Sequence, residues 1–177
     1  LNGDSYDELV VGSPYEDLNT TVDAGVVHAI YGSAVGLTDA GNITVFQGEG
    51  SIFGTAETGD VFGLVLTTGD FDLDGYDDVV IGTPFEDTAG NSGGIVHMVF
   101  GSVSGMNIND TMHYLEDQAE ANFGGALISG DFGSGQTLII GVPGRESGDM
   151  DFQAGAINTK VFKNPYIIFK NGFELNL

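Results

Sequence analysis

Five aspartates occur within nine residues of the chain, in the segment DFDLDGYDD that runs from Asp70 to Asp78. Asp70, Asp72 and Asp74 stand at alternate positions, so their carboxylates can converge on one point, and Asp78 adds a fourth. Gly75 permits the sharp turn that such a loop needs. Calcium takes six to eight oxygen ligands, and without a cation carboxylates this close would repel one another. The segment, called the middle loop below, therefore predicts a calcium site.

The end of the middle loop distinguishes it from an EF-hand, which its start resembles. Tyr76 would offer its backbone carbonyl as a further ligand and leave its ring available for packing. No glutamate stands at the position of the bidentate glutamate of an EF-hand, and the residues VVIGTP suit a strand rather than a helix. We therefore expect the loop to join two β-strands, with calcium in a structural role and no part in chemistry.

Two other segments occupy equivalent places in the chain but match this ligand pattern less well. The first loop, residues 2–8, would use these ligands: Asn2, Asp4, Tyr6 and Glu8. Ser5 replaces the glycine, and alignment with the middle loop places one ligand before the start of the chain, so we expect weak binding. The third loop, DFGSGQT at 131–137, retains only Asp131, and we expect no calcium there.

These loops belong to a threefold internal repeat, the kind of self-similarity that indicates a repeat architecture. Gly12-Ser13-Pro14 recurs as Gly82-Thr83-Pro84 and as Gly141-Val142-Pro143, at spacings of 70 and 59 residues. AGVVHAIYGS at 24–33 recurs as GGIVHMVFGS at 93–102. The recurrence predicts three copies of one structural unit.

The segments between these marks have the composition of short β-strands. LVLTTGDF, DDVVIGTP, IVHMVFGS and TMHYL are rich in β-branched or aromatic residues and are bounded by turn-forming residues. The 29 glycines disfavour helices. Each unit would supply about four strands over roughly 60–70 residues, the size of a propeller blade. We expect blades at about 1–50, 51–115 and 116–163, followed by a closing strand or tail at 164–177.

The order of the motifs resembles the FG-GAP repeat of integrin α-subunit β-propellers. The pieces are Phe62-Gly63, the middle loop and Gly82-Thr83-Pro84, and the resemblance extends to about residue 163. In that family each repeat contributes a blade of four antiparallel strands, and seven blades close a ring. The resemblance therefore implies an all-β fold. Because three blades do not close a propeller, we expect the C-terminal part of a larger one.

The charge of the chain excludes some classes of partner. There are 26 acidic residues against 4 Lys and Arg, and no Lys or Arg precedes Arg145. Such a surface repels nucleic acid and anionic lipid and attracts divalent cations. No apolar run approaches the roughly 20 residues of a membrane span, so we expect no membrane insertion. The absence of cysteine excludes disulfides and thiolate nucleophiles.

Other candidate residues give no catalytic constellation. His28 and His97 hold the same place in two repeats, VVHAIYGS and IVHMVFGS, which indicates strand geometry rather than a metal or catalytic site. The chain has no Gly-x-Ser-x-Gly elbow, phosphate-binding loop or HExxH motif. PYED at 14–17 and PFED at 84–87 begin loops that, by the resemblance, contribute to partner binding; loop composition alone favours a solvated acidic surface.

The sequence as a whole favours a non-enzymatic, calcium-binding propeller module of an extracellular or cell-surface adhesion or recognition protein, with a protein or glycan ligand on one loop face. One alternative is the accessory propeller of a secreted hydrolase. Another is a calcium-dependent carbohydrate-binding module. The ending IFKNGFE resembles a short terminal sequence of exported proteins in some proteobacteria, which favours a bacterial secreted or surface protein.

Overall fold

The described part of the chain is built of β-strands, without a helix. The structure is a computed structural model that describes residues 1–87, 92–115, 120–132, 135–144 and 156–161. In chain order the strands are β1 Leu9–Ser13, β2 Val26–Ile30, β3 Ile43–Val45, β4 Val65–Gly69, β5 Asp78–Thr83, β6 Ile95–Val99, β7 Thr111–Leu115, β8 Ala126–Asp131, β9 Gln136–Val142 and β10 Ala156–Val161. The predicted all-β class is confirmed.

The strands form three antiparallel sheets in which chain neighbours pair. The sheets have the orders β1-β2-β3, β4-β5-β6-β7 and β8-β9-β10. The middle sheet is a complete four-stranded blade, and its strands fall within the four segments predicted from composition. The first sheet has three strands. The closing strand predicted at 164–177 and the IFKNGFE ending lie outside the described residues.

The sheets stack face to face, and β5 shows this because both of its faces are buried. Val79 and Ile81 pack into a core with Val27 of the first sheet. Val80 points the other way and packs into a second core with Leu138 of the third sheet. Burial of each such side chain stabilises the fold by about 1.5–3 kcal/mol. Stacking of similar sheets through both faces is the arrangement of propeller blades.

The opening strands of neighbouring sheets lie side by side. The hydroxyl of Ser129 on β8 donates to the carbonyl oxygen of Thr68 on β4 at 2.6 Å and lies 2.7 Å from the hydroxyl oxygen of Thr67. Since β4 and β8 hold the same place in their repeats, this contact is the one expected between inner strands of adjacent blades.

The glycines of the repeated motifs meet where two sheets join. A Cβ built at Gly12 would overlap the carbonyl oxygen of Gly63, and one built at Gly82 would overlap that of Gly124. Gly63 and Gly124 themselves have φ of 85° and 87°, a conformation that favours glycine. The Phe-Gly motif of one unit thus contacts the Gly-x-Pro motif of the preceding unit. Glycine is required in the Gly-x-Pro motif because a side chain would not fit between the two sheets.

Candidate metal centre

The middle loop connects β4 to β5 and brings together three of the four aspartates that are predicted as ligands. Asp70 follows the last residue of β4, and Asp78 is the first residue of β5. One carboxylate oxygen from each of Asp70, Asp72 and Asp78 lies within 4.8 Å of the other two. This oxygen-rich trio suits a hard cation, because calcium binds carboxylate oxygens around a single centre.

Backbone N–H groups hold the carboxylates on the inside of the turn. The N–H of Asp74 lies 3.1 Å from Oδ1 of Asp70 and 3.1 Å from Oδ1 of Asp72, and the N–H of Gly75 donates to Oδ2 of Asp70 at 3.1 Å. Leu73 and Gly75 have φ of 65° and 93°. The two left-handed residues reverse the chain within the loop, so that successive N–H groups point at the same side chains.

Asp74 and Tyr76 stand apart from the trio. Oδ1 of Asp74 accepts a hydrogen bond from the N–H of Tyr76 at 2.9 Å, and Asp74 does not join the group of three converging carboxylates. The carboxylate instead closes a local turn of the loop. The roles of Asp74 and of the Tyr76 carbonyl as ligands stay predictions.

Asp78 anchors the loop from inside the protein. Its side chain is fully buried, and its oxygens accept hydrogen bonds from the N–H of Phe71 at 2.8 Å and the N–H of Gly101 at 2.9 Å. Burial raises the pKa of Asp78 to about 7 in spite of these two donors, and the charges of Asp72 and Asp70 raise it further. A buried carboxylate beside two others gains from a cation that neutralises it.

Asp72 has a similar but weaker electrostatic environment. Burial is the main cause that raises the pKa of its carboxyl, and the charges of Asp74 and Asp70 add to it, while the N–H of Asp74 opposes the shift. The backbone N–H groups therefore compensate the negative charge of the trio only in part.

The first loop repeats the hydrogen bonds of the middle loop. The terminal ammonium group of Leu1 forms an ion pair with Oε2 of Glu8 at 2.6 Å, and these two residues hold the positions of Phe71 and Asp78 in the middle loop. Oδ1 of Asp4 accepts from the N–H of Tyr6 at 2.9 Å. The amide of Asn2 donates to Oδ2 of Asp4 at 3.0 Å, and Asn2 Oδ1 accepts from the N–H of Asp4.

Glu8 is the residue of the first loop that most closely follows its counterpart. Its side chain is 6% exposed, and its Oε1 is a buried oxygen without a hydrogen-bond partner. An acceptor in this position suits a cation. The role of Asn2, Asp4, Tyr6 and Glu8 as ligands stays a prediction.

The two loops share a backbone shape but place their glycines differently. Gly3 and Ser5 have φ of 70° and 75°, at the positions that Leu73 and Gly75 hold in the middle loop. Each loop therefore has one glycine and one strained residue in the left-handed region. A Cβ at Gly3 would lie 2.9 Å from Cε1 of Tyr76, so the Tyr76 ring packs against the first loop and joins the two.

The third loop has a different local structure. Oδ1 of Asp131 accepts a hydrogen bond from the N–H of Gly135 at 3.1 Å, which closes a short turn between β8 and β9. Residues 133–134 lie outside the described residues. The prediction that calcium does not bind there stays a prediction.

The histidines have structural environments. His97 is 1% exposed, contacts the ring of Phe62 at a centroid distance of 5.3 Å, and its Nε2 has no partner. Burial lowers its pKa to about 3. Nδ1 of His28 lies 2.8 Å from Oγ1 of Thr44. His113, which has no evident partner in the sequence, stacks on Phe53 at 4.2 Å.

A buried polar group at the junction of the first two sheets is missing from the sequence-based prediction. The interpretation of PFED as a solvated acidic loop is wrong for Glu86, which is 7% exposed and accepts a hydrogen bond from Nε2 of Gln47 at 2.6 Å. Asp60 is buried nearby, whereas Glu16 at the equivalent place in PYED is exposed. Because the two motifs are alike, no local signal separates the buried glutamate from the exposed one.

Comparison with known proteins gives the family of this architecture. The family model described as FG-GAP repeat matches residues 1–46 and 62–98, which include the first and middle loops. This chain contains FG-GAP repeats. Their predicted resemblance to integrin α-subunit propellers is confirmed by similarity to integrin alpha-PS5 of Drosophila melanogaster, 28% identical over 156 residues.

The relatives of these FG-GAP repeats include an enzyme. Phosphatidylinositol-glycan-specific phospholipase D is 29% identical over 150 residues in Bos taurus and 30% identical over 147 residues in Rattus norvegicus, in both cases across 81% of this chain. Alignment with integrin alpha-PS5 covers 83% of this chain. The chain spans only 17% of the length of these phospholipases and 14% of the integrin. The similarity is thus to one region of much longer proteins.

The described part of the chain has no helix with the length and apolar character of a membrane crossing.

Proposed function

We propose that this chain is a calcium-stabilised, non-enzymatic propeller module of an extracellular adhesion or recognition protein. The convergence of Asp70, Asp72 and Asp78 carries the proposal, since three carboxylate oxygens within 4.8 Å of one another offer oxygen ligands to a calcium ion between them. In the middle loop Asp74 and the Tyr76 carbonyl would complete the ligand set. In the first loop the ligands would be Asn2, Asp4, Tyr6 and Glu8.

Calcium would act on the fold through the middle loop. The loop joins the first two strands of the complete blade, and its anchor Asp78 touches both Phe71 and Gly101, which follows β6. A cation that neutralises the trio fixes the β4–β5 connection and, through Gly101, the β6–β7 connection. Extracellular modules often bind calcium at about 0.1–1 mM, and a 0.1 mM site at roughly 1 mM calcium stabilises by about 1.4 kcal/mol.

A thermal melt with and without calcium tests this function. We expect millimolar calcium to raise the melting temperature over that in EDTA, and Asp72→Asn to remove most of the rise. Asp77→Asn is the matched control, because Asp77 is an exposed acid of the same loop outside the trio. An unchanged melting temperature in calcium, or an equal loss in both variants, would contradict a structural calcium in this loop.

The face that carries the PYED and PFED loops would bind the partner. Tyr15 and Phe85 hold equivalent places in the two loops and are 68% and 42% exposed, and exposed aromatic side chains are common in recognition surfaces. A protein or glycan ligand of this face should lose affinity when both residues are replaced by alanine. Replacement of Val35, which is 94% exposed on another loop, should leave the affinity unchanged.

Similarity to phosphatidylinositol-glycan-specific phospholipase D favours a second candidate function. The propeller would then be an accessory module of a longer secreted hydrolase, with catalysis in another part of that protein. Neither the adhesion module nor the accessory module of a hydrolase would be catalytic. An assay of this chain alone with a phosphatidylinositol-glycan substrate tests for a catalytic role. We expect no turnover of the substrate. Activity that co-purifies with the chain would contradict both candidate functions.

A further inference from the structure

The junction of the first and middle sheets contains a buried carboxyl–amide pair outside the calcium loops. Glu86 follows β5 in the middle sheet, and Gln47 follows β3 in the first. Both side chains are buried, at 7% and 2% exposure, and Nε2 of Gln47 donates to Oε2 of Glu86 at 2.6 Å. This hydrogen bond joins two sheets through residues 39 positions apart in the chain.

The charged groups that act on Glu86 are all acidic. Asp60 and Glu57, from the connection between β3 and β4, face Glu86, as does Asp87 of its own loop. Asp60 is itself buried and accepts a hydrogen bond from the N–H of Glu57 at 2.6 Å. The described part of the chain contains no lysine or arginine at this junction, because none precedes Arg145. An ionised Glu86 would therefore be a buried charge among like charges.

The side-chain amide oxygen of Gln47 accepts no hydrogen bond. Its Oε1 is buried without a hydrogen-bond partner, and a buried acceptor left unpaired is costly. A protonated carboxyl carries an O–H donor that a carboxylate lacks. Protonation of Glu86 would thus remove the like-charge repulsion and bring a donor to the amide.

We propose that Glu86 and Gln47 form a proton-dependent latch that holds the first and middle sheets together more tightly in acid than at neutral pH. Burial raises the pKa of Glu86 to about 7, the charges of Asp60, Glu57 and Asp87 add to this, and the Gln47 hydrogen bond opposes it. Because the folded-state pKa lies above the ordinary value, this stabilisation is complete below about pH 4.5 and is lost as the pH rises through 7.

The test compares Glu86→Gln with Glu16→Gln by thermal melts at pH 5 and pH 8 in saturating calcium, which holds the loops constant. Glutamine imitates the protonated acid at every pH. We expect Glu86→Gln to melt on the order of 5 °C above the unmodified chain at pH 8 and within a degree of it at pH 5. Glu16 has the equivalent place but is exposed. The difference in melting temperature between Glu16→Gln and the unmodified chain should therefore be the same at both pH values. An equal difference for Glu86→Gln at both pH values would overturn the latch.

A carboxyl titration keeps the proposal testable if the variant fails to fold. In the unmodified chain labelled with ¹³C at glutamate side chains, the Glu86 carboxyl should titrate well above the ordinary value of about 4.3. The latch requires this titration to move chemical shifts of the Gln47 side-chain amide with the same midpoint. A Glu86 carboxyl that titrates at its ordinary value, or a Gln47 amide that does not respond, would overturn it.

Discussion

Phe71 and Asp78 close the base of the middle loop, since the N–H of Phe71 donates to Oδ2 of Asp78 at 2.8 Å. At the equivalent positions of the first loop, the terminal ammonium group of Leu1 forms an ion pair with Oε2 of Glu8 at 2.6 Å. Each loop thus has a buried acid at its base. In the middle loop Asp78 both fixes the base and belongs to the trio that would bind the cation, whereas Asp70 and Asp72 are the less buried members of that trio.

Replacement of Asp78 by alanine should lower stability with or without calcium. The substitution removes the carboxylate that accepts hydrogen bonds from the N–H groups of Phe71 and Gly101, at about 1–3 kcal/mol for a buried donor that loses its acceptor. Removal of the buried charge offsets part of this loss of stability. Asp72→Ala removes an exposed acid and should lower stability only in calcium. Urea unfolding of both variants in EDTA checks this, and equal stability of the Asp78 variant and the unmodified chain there would contradict the anchor role.

The contact between repeated motifs predicts that Gly82 tolerates no side chain. A Cβ at Gly82 would overlap the carbonyl oxygen of Gly124, so Gly82→Ala must push two sheets apart, at a cost of about 1–3 kcal/mol. Gly130→Ala is the control, since a Cβ there meets only the Phe132 ring at 3.5 Å. Chemical denaturation should separate the two variants, and similar midpoints would show that the motifs do not need this close approach.

Much of this architecture could be predicted from the sequence because its determinants are local. Turn residues, β-branched runs and alternate aspartates act within a few residues of each other, and the strands of the middle sheet and the loop at Asp70 follow from them. The burial of Glu86 and the stacking of His113 on Phe53 depend on parts of the chain 39 and 60 residues away. Composition and spacing carry no information on such contacts.

Asp74 illustrates a limit of spacing within a single loop. Alternate positions place its carboxylate on the same side as Asp70 and Asp72, but the carboxylate accepts the N–H of Tyr76 and lies outside the trio. The choice between a cation and a neighbouring N–H is set by side-chain rotation, which the sequence pattern does not determine.

Burial of His97 predicts loss of stability in acid. Its pKa of about 3 lies below the ordinary 6.5, so the neutral form is stable above about pH 6.5 and roughly 3 kcal/mol is lost between pH 7 and pH 4. The raised pKa values of Glu86 and Asp60 act in the opposite direction, so variants must be compared with the unmodified chain. His97→Met should gain relative stability as the pH falls.

His28→Met is the control for that titration, because His28 has the same place in the first sheet but is only half-buried. Its stability relative to the unmodified chain should change little between pH 7 and pH 4. If His97→Met and His28→Met showed the same pH dependence, burial of His97 would not be the cause.

Direct titration with calcium tests the central claim, that the converging carboxylates of the middle loop bind this cation. In isothermal titration calorimetry, the unmodified chain should bind calcium at sub-millimolar to millimolar concentrations, and Asp77→Asn should bind like it. Asp70→Asn and Asp72→Asn should each lose the heat that belongs to this site. Binding that is absent from the unmodified chain at several millimolar calcium, or that persists unchanged in both trio variants, would contradict the account.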